Sequence, residues 1–146
     1  MNAMNKMNSI NNYLKAEFDS ISINESLARG IAAFFILPLN PKVDAVADVK
    51  TAVSEAVTNA IIHGYRYEDG PVIMELRLDG RLLTVTVRDS GIGIEDVERA
   101  RQPLFTTQPE AERSGMGFTV MESFMDSLDV ESAPGKGTVV TMRKRL

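Results

Sequence analysis

The sequence predicts an α/β fold built as a two-layer sandwich, in which helices cover one face of a mainly antiparallel, mixed sheet. Apolar residues recur at helical spacing through residues 27–35 and again through residues 46–61. From Val72 onwards the apolar spacing changes to two, and Asp79-Gly80 has the composition of a tight hairpin turn. Each of these elements has one apolar face, so packing helices against a sheet is the simplest way to build a core.

The first strand and the first helix are predicted before residue 42. Residues 14–18 alternate between apolar and charged side chains, which is typical of a strand. Ser22 and Glu25 have capping-box spacing, so a helix is expected to begin there and to end before Pro38 and Pro41. Its apolar stripe is expected to comprise Leu27, Ala28, Ile31, Ala32 and Phe35.

A second helix is predicted between Asp44, as its cap, and Gly64, as its end. Its apolar stripe is expected to comprise Val46, Val49, Val53, Ala56, Val57, Ala60 and Ile61.

The second half of the chain predicts two hairpins separated by a loop and a helix. The inward residues of the first hairpin are expected to be Val72, Met74, Leu76, Leu78, Leu83, Val85 and Val87. Residues 95–117 are charged and contain proline, which favours a loop. The helix that follows should carry Phe118, Met121, Phe124, Met125 and Leu128 at helical spacing. Residues 129–132 and 138–143 are expected to pair across a turn at 134–137.

The composition excludes several classes of protein. With 146 residues, one domain over residues 13–146 is expected after a loose leader over residues 1–12. The net charge of -4 argues against a nucleic-acid partner. There is no cysteine and only one histidine, His63, which argues against a zinc centre. The longest apolar run, residues 31–37, is far below the ~20 residues that span a bilayer, so no membrane contact and a cytoplasmic location are expected.

Two glycine pairs predict a nucleotide site. Asp89-Ser90-Gly91-Ile92-Gly93 follows a buried strand, and glycines there let the backbone turn and approach a ligand closely. A carboxylate at the strand end could accept a hydrogen bond from an exocyclic amine. Gly115-Met116-Gly117 precedes a predicted helix, whose first N–H groups favour phosphate.

Glu55 and Asn59 form a third candidate feature, on the second predicted helix. A spacing of four places both side chains on one helix face, a turn apart. A carboxylate could accept a proton and an amide oxygen could ligate Mg²⁺, which usually keeps waters and substrate phosphates as its other ligands. For the pair alone, an ordinary solvated helix face remains the competing interpretation.

Four elements in order resemble the ATPase and kinase superfamily that includes gyrase B, Hsp90, histidine kinases and MutL. Residues 55–64 resemble its N box, residues 89–93 its first glycine box, and Gly115-Met116-Gly117 its second. Gly137-Thr138 resembles the segment whose threonine supports the adenine pocket. Residues 24–29, 53–65, 100–107 and 112–118 further resemble the anti-sigma F factors of endospore-forming bacteria, which are serine kinases that hold a sporulation sigma factor inactive.

The resemblance implies a role for each site residue. Glu55 would be the general base, Asn59 would ligate Mg²⁺, and Asp89 would bind the adenine amine of ATP. The remaining nucleotide contacts implied are Gly91, Gly93, Thr106, Thr107, Arg113, Gly115, Met116, Gly117 and Thr138. Within that set, Arg113 would reach the γ-phosphate, and residues 102–114 would form a lid.

The resemblance also implies partners. These are sigma factor F, an anti-anti-sigma factor as the phosphorylated substrate, and a second copy of the chain in a homodimer. Arg29 would lie on the surface that contacts protein partners, although an ordinary solvated arginine is the competing interpretation. Two alternatives remain open: a nucleotide-gated sigma-binding module without kinase activity, and the related anti-sigma kinase of the stress pathway. The chain departs from the resemblance at Thr138-Val139-Val140, where a second threonine is often expected.

Overall fold

Helices cover one face of a five-stranded sheet in the computed structural model, which describes residues 10–102 and 117–146. The strands are β1 (Asn11–Asp19), β2 (Pro71–Asp79), β3 (Leu82–Asp89), β4 (Ser127–Ser132) and β5 (Thr138–Arg145). Their spatial order is β1-β2-β3-β5-β4. The predicted two-layer sandwich is confirmed, and all four strand pairs within the described residues are antiparallel.

The period-two pattern places the inward residues of the sheet as predicted. Met74, Leu76, Val85 and Met142 are fully buried under the helices, while the residues between them face outwards. The β2–β3 turn consists of Gly80 and Arg81, and Gly80 has a φ of 62° that glycine adopts without strain. β1 begins at Asn11, two residues inside the segment that was expected to be a leader.

Within residues 10–102 and 117–146, the helical layer consists of two long helices and two shorter ones. They are α1 (Ile23–Ile36), α2 (Val43–Asn59), α3 (Val97–Ala100) and α4 (Gly117–Phe124). A short 3₁₀ turn, Leu37–Leu39, follows α1, and a π-helical turn, Ala60–Gly64, extends α2. The core forms where the apolar stripes of α1, α2 and α4 meet the inner face of the sheet.

Several details of the helices differ from the predictions. Ser22 occupies the N-cap of α1 but has helical φ and ψ angles and makes no side-chain capping bond. The Glu25 carboxylate, the other half of the predicted capping box, is engaged with Arg29 and α2 instead. Leu27 is 49% exposed rather than buried. Leu128 lies on β4, since α4 ends at Phe124.

The predicted caps of α2 also differ. Lys42 is the N-cap, and Asp44 lies in the first turn, where its negative charge favours the helix dipole. Gly64 ends the π-helical turn, but positive φ angles occur at Arg66 and Tyr67 rather than at this glycine. The glycine at position 64 is therefore explained by its close contact with Asp89 in the candidate site rather than by its φ angle.

Candidate functional site

A cavity of about 860 Å³ opens where the end of α2, the end of β3 and the start of α4 meet. This volume is typical of a site for a small molecule or cofactor. Its wall includes five of the residues that the sequence singled out: Asn59, Asp89, Gly93, Gly117 and Thr138. The cavity is therefore lined by residues from the N box, from both glycine pairs and from the last hairpin.

The floor of the cavity is built around Asp89. Its side chain is only 6% exposed, it accepts a hydrogen bond from the Gly91 N–H at 2.9 Å, and the backbone N–H of Thr138 lies nearby. Asp89 and Thr138 face each other as register partners on β3 and β5. Burial raises the pKa of the Asp89 carboxyl to about 6, although the two backbone N–H groups pull that pKa downwards.

The end of α2 is packed directly onto this floor. A Cβ built on Gly64 would lie 2.7 Å from Asp89 Oδ1, so any side chain at this position would displace the carboxylate. A Cβ on Gly91 would lie 2.1 Å from the Gly64 carbonyl oxygen. The Ile92 N–H donates to the same carbonyl at 2.9 Å. Sequence reasoning treated Gly64 as a helix end; in the structure it also holds Asp89 and the first glycine pair in place.

The last hairpin contacts the other side of the first glycine pair. Gly93 has a φ of 77°, and a Cβ on it would lie 1.9 Å from the Ala133 carbonyl oxygen. Gly137 has a φ of 75°, and a Cβ there would lie 2.1 Å from the Asp89 carbonyl oxygen. Glycine is required at both positions by backbone conformation and by space.

Glu55 lies next to Gly117, a residue of the cavity wall at the start of α4. It is half-buried on α2, one turn before the half-buried Asn59. A Cβ on Gly117 would lie 3.5 Å from Glu55 Oε2, so the carboxylate lies beside the start of α4. Asn59 lines the cavity itself, whereas Glu55 is not among the described residues that do so.

Arg29 lies apart from the cavity wall, in a polar cluster that joins α1 to α2. Its guanidinium donates to Glu25 Oε1 at 2.7 Å and to Ser54 Oγ at 3.1 Å. The Ser54 and Thr58 hydroxyls donate to the two oxygens of Glu25 at 2.5 and 2.8 Å. Arg29 is 34% exposed and held by these partners, so it differs from the freely solvated arginine of the competing interpretation.

Sequence reasoning missed several residues of the site. Arg66 and Arg99 are the arginines among the described residues of the cavity wall, and His63 also lines the cavity. Arg66 has a φ of 51°, an uncommon conformation for a residue with a side chain. Ser132 contacts three groups around Thr138, and no sequence pattern marked it. The predicted contacts Thr106, Thr107, Arg113, Gly115 and Met116 lie outside the described residues.

Comparison with known proteins identifies the family to which this chain is similar. The family described as the histidine kinase-like ATPase domain matches residues 25–144. An anti-sigma F factor of Clostridium kluyveri is 58% identical over 133 residues, which cover 91% of this chain and 94% of that protein. The anti-sigma F factor of Bacillus subtilis is 52% identical over 136 residues, covering 92% and 93% of the two chains.

A solved structure of the RsbU and RsbW domains of a Mycobacterium tuberculosis protein has the same fold. It matches with a TM-score of 0.66 at 19% identity, covering 92% of this chain and 32% of that chain. The chain therefore belongs to the histidine kinase-like ATPase family and, within it, to the anti-sigma F factors. Membership of this ATPase family implies nucleotide binding, in agreement with the cavity around Asp89. Among the described residues, no helix is both long and apolar enough to cross a membrane.

Proposed function

We propose that this chain is an ATP-dependent protein serine kinase and an anti-sigma factor. It sequesters a sporulation sigma factor, sigma F, and phosphorylates a serine of an anti-anti-sigma partner. One observation carries the kinase proposal: Asn59 and Asp89 line the same cavity, and Glu55 lies one turn before Asn59, beside Gly117. The names of the relatives, anti-sigma F factors, support the sigma factor as a partner.

The nucleotide is proposed to lie with its base on Asp89 and its phosphates towards Asn59 and Gly117. The Asp89 carboxylate accepts a hydrogen bond from the adenine amine, while Gly91 and Gly93 let the backbone form a close-fitting floor. The N–H groups of Gly115 and Gly117 donate to the phosphates at the start of α4. Asn59 Oδ1 would ligate Mg²⁺, which neutralises phosphate charge when it is bound.

Glu55 is proposed to act as the general base. The substrate serine Oγ attacks the γ-phosphorus, the bond to the oxygen bridging to the β-phosphate breaks, and ADP leaves. Glu55 takes the proton that the serine hydroxyl loses. Arg113 stabilises charge on the transferring phosphoryl group. Thr106 and Thr107 are proposed to contact the nucleotide from a lid over residues 102–114, and Met116 is proposed to contact it from the second glycine pair.

Protein partners are proposed to contact α1 around Arg29. The cluster of Glu25, Ser54 and Thr58 holds this guanidinium at the surface without burying it. A fixed arginine loses little side-chain freedom when it binds a carboxylate on a partner. We also propose that the chain forms a homodimer.

The kinase proposal is tested by incubating the purified chain with Mg·ATP and a purified anti-anti-sigma protein from the same organism. Intact-mass measurement of the substrate should show the addition of one phosphoryl group, and peptide mapping should place it on a serine. Parallel samples should show whether sigma F is retained on the immobilised chain with and without ATP. Nucleotide binding and sigma retention without transfer would contradict the kinase proposal and favour a nucleotide-gated sigma-binding module.

A further inference from the structure

Ser132 makes three polar contacts, and together they determine the direction of each hydrogen bond. The Ile94 N–H donates to Ser132 Oγ at 2.7 Å. Ser132 Oγ lies 2.8 Å from the carbonyl oxygen of Gly137 and 2.8 Å from Thr138 Oγ1. The side chain therefore joins the end of β4 to the start of β5 and to the residue that follows the first glycine box.

If all three contacts are hydrogen bonds, the number of donors and acceptors allows one set of hydrogen-bond directions. A serine hydroxyl has one hydrogen to donate and two lone pairs that accept. The Gly137 carbonyl can only accept, so it uses the Ser132 hydrogen. The Ile94 N–H can only donate, so it uses one lone pair. The contact with Thr138 must then use the second lone pair, which means that Thr138 donates its hydrogen to Ser132.

This arrangement determines what Thr138 presents to the cavity. Its only hydroxyl hydrogen is engaged with Ser132, so Thr138 Oγ1 can offer the cavity only an acceptor. Thr138 is 4% exposed, lines the cavity and faces Asp89 across the β3–β5 pair. The ionised Asp89 carboxylate is also an acceptor without a donor. The floor thus has acceptors on two neighbouring strands, β3 and β5.

We propose that Ser132 is a specificity-determining positioning residue, which orients the Thr138 hydroxyl so that the floor accepts a purine with an amine at C6 and rejects one with a carbonyl at C6. This inference rests on the proposed nucleotide site and deepens it. An adenine amine has two hydrogens to donate to these acceptors, whereas a C6 carbonyl oxygen adds a third acceptor and leaves the adjacent N1–H as the only donor on that edge of the base. A site built from buried hydrogen-bonding groups discriminates strongly against a ligand that leaves them unpaired.

The test compares the dissociation constants of ATP and inosine triphosphate, each with Mg²⁺, by titration calorimetry. The wild-type protein should prefer ATP. In Ser132→Ala the Thr138 hydroxyl is free to donate to the C6 carbonyl, so the preference should fall by about tenfold, the equivalent of one hydrogen bond. Ser132→Thr keeps a hydroxyl at the same position and should retain the preference. A loss of affinity by the same factor for both nucleotides in Ser132→Ala would show a merely structural role and overturn the inference.

A second variant keeps the inference falsifiable if Ser132→Ala does not fold. Thr138→Val keeps the shape of the side chain but removes its oxygen, so ATP should bind about tenfold more weakly while inosine triphosphate is not weakened. Equal weakening of both nucleotides would contradict the proposal. Failure of the wild-type protein to bind either nucleotide would overturn the proposed function as well, whereas wild-type binding with an unchanged preference in the variants would overturn this inference alone.

Discussion

Asp89 is the residue whose environment differs most from that of an ordinary surface carboxylate. It is buried beside backbone on three sides, at Gly64, Gly91 and Thr138, and its pKa is raised to about 6 chiefly by loss of solvent. An adenine amine donates a hydrogen bond, so the nucleotide-bound state favours the ionised form. The empty site holds a proton at mildly acidic pH that binding must release.

This linkage predicts that ATP affinity falls as the pH is lowered. Above pH 6 the carboxylate is already ionised and affinity should be constant. Below pH 6 each pH unit should weaken binding by up to about tenfold, until the pKa of the bound state is reached. Calorimetric titrations between about pH 8 and pH 5, in buffers of different ionisation enthalpy, would measure both the affinity and the proton release. Asp89→Asn should bind weakly at every pH and lose this dependence; an unchanged pH profile in that variant would show that another group titrates.

Gly91 is predicted to tolerate no side chain. The alanine Cβ in Gly91→Ala would lie 2.1 Å from the Gly64 carbonyl oxygen, and backbone on both sides cannot move apart without displacing Asp89. Such overpacking typically costs about 1–3 kcal/mol and should also weaken ATP binding. Gly30→Ala is the matched control, because nothing lies within 4 Å of its Cβ and alanine favours a helix. Thermal unfolding should show that Gly91→Ala lowers stability and that Gly30→Ala does not, and only Gly91→Ala should bind ATP more weakly; equal effects would contradict the close packing.

At the scale of elements, α1 and α2 are joined by a polar cluster as well as by apolar contact. The two oxygens of Glu25 accept from Ser54 and Thr58, and the pair Glu25–Arg29 closes the cluster on the side of α1. Ser54 and Thr58 flank Glu55 on α2, so the same helix carries the cluster on one side and the proposed base on another. The cluster therefore orients α1 relative to the helix of the site.

Glu25→Ala should loosen this attachment. It removes the acceptor of two half-buried hydroxyls, and each such loss typically costs about 1–3 kcal/mol unless water replaces the carboxylate. Chemical denaturation should report the loss as a lower midpoint with an unchanged slope. Lys50→Ala, at an exposed position on α2, should change the free energy of unfolding by no more than about 0.5 kcal/mol. A Glu25→Ala midpoint equal to that of Lys50→Ala would show that the cluster does not stabilise the pair of helices.

The sequence predicted elements far better than contacts between elements. The stripe on α2 and the alternation on β2 and β3 are local periodicities, so they could be read directly and the structure confirms them. The capping box at Ser22 and Glu25 was wrong because a tertiary partner, α2, competes for the carboxylate. Leu128 was placed on a helix because its spacing also continues the α4 stripe, yet the chain turns after Phe124 to form an edge strand.

The site was predictable only where a residue type is unusual in its context. Asp89 with Gly93, and Asn59 on the predicted helix, belonged to such patterns, and the structure brings these three residues to one cavity. Ser132 gave no signal, because a serine near the end of a strand is ordinary until the partners of its hydroxyl are known. The importance of Gly64 likewise depends on the position of Asp89, which is far away in sequence.

On the surface of the molecule, large apolar side chains are exposed along one side of α1. Ile23 is 74% exposed and Phe34 is 76% exposed, and a shallow groove between Leu14, Leu27 and Phe34 lies beside them. Apolar side chains gathered on one surface often mark a protein interface. This surface is where we place the contact of the proposed homodimer.

Light scattering coupled to size exclusion should therefore report about twice the 16.1 kDa mass of one chain. Phe34→Glu adds a charge to the centre of the exposed apolar surface and should shift the protein towards the monomer. Val43→Glu provides a control, because Val43 is 83% exposed at the start of α2 and does not line the groove. A wild-type protein that is monomeric at high concentration would contradict the homodimer.

In the proposed kinase, the cavity binds ATP and Glu55 accepts the proton of the substrate serine beside it. The most direct measurement compares wild type, Glu55→Gln and the exposed control Glu131→Gln for phosphoryl transfer to the anti-anti-sigma protein, with ATP affinity measured on the same samples. Glu55→Gln should retain ATP affinity and lose transfer by about 10²–10⁴-fold, the usual contribution of a general base, while Glu131→Gln should match wild type. Transfer at the wild-type rate in Glu55→Gln, or loss of ATP binding together with transfer, would contradict the proposed role of Glu55 as the general base.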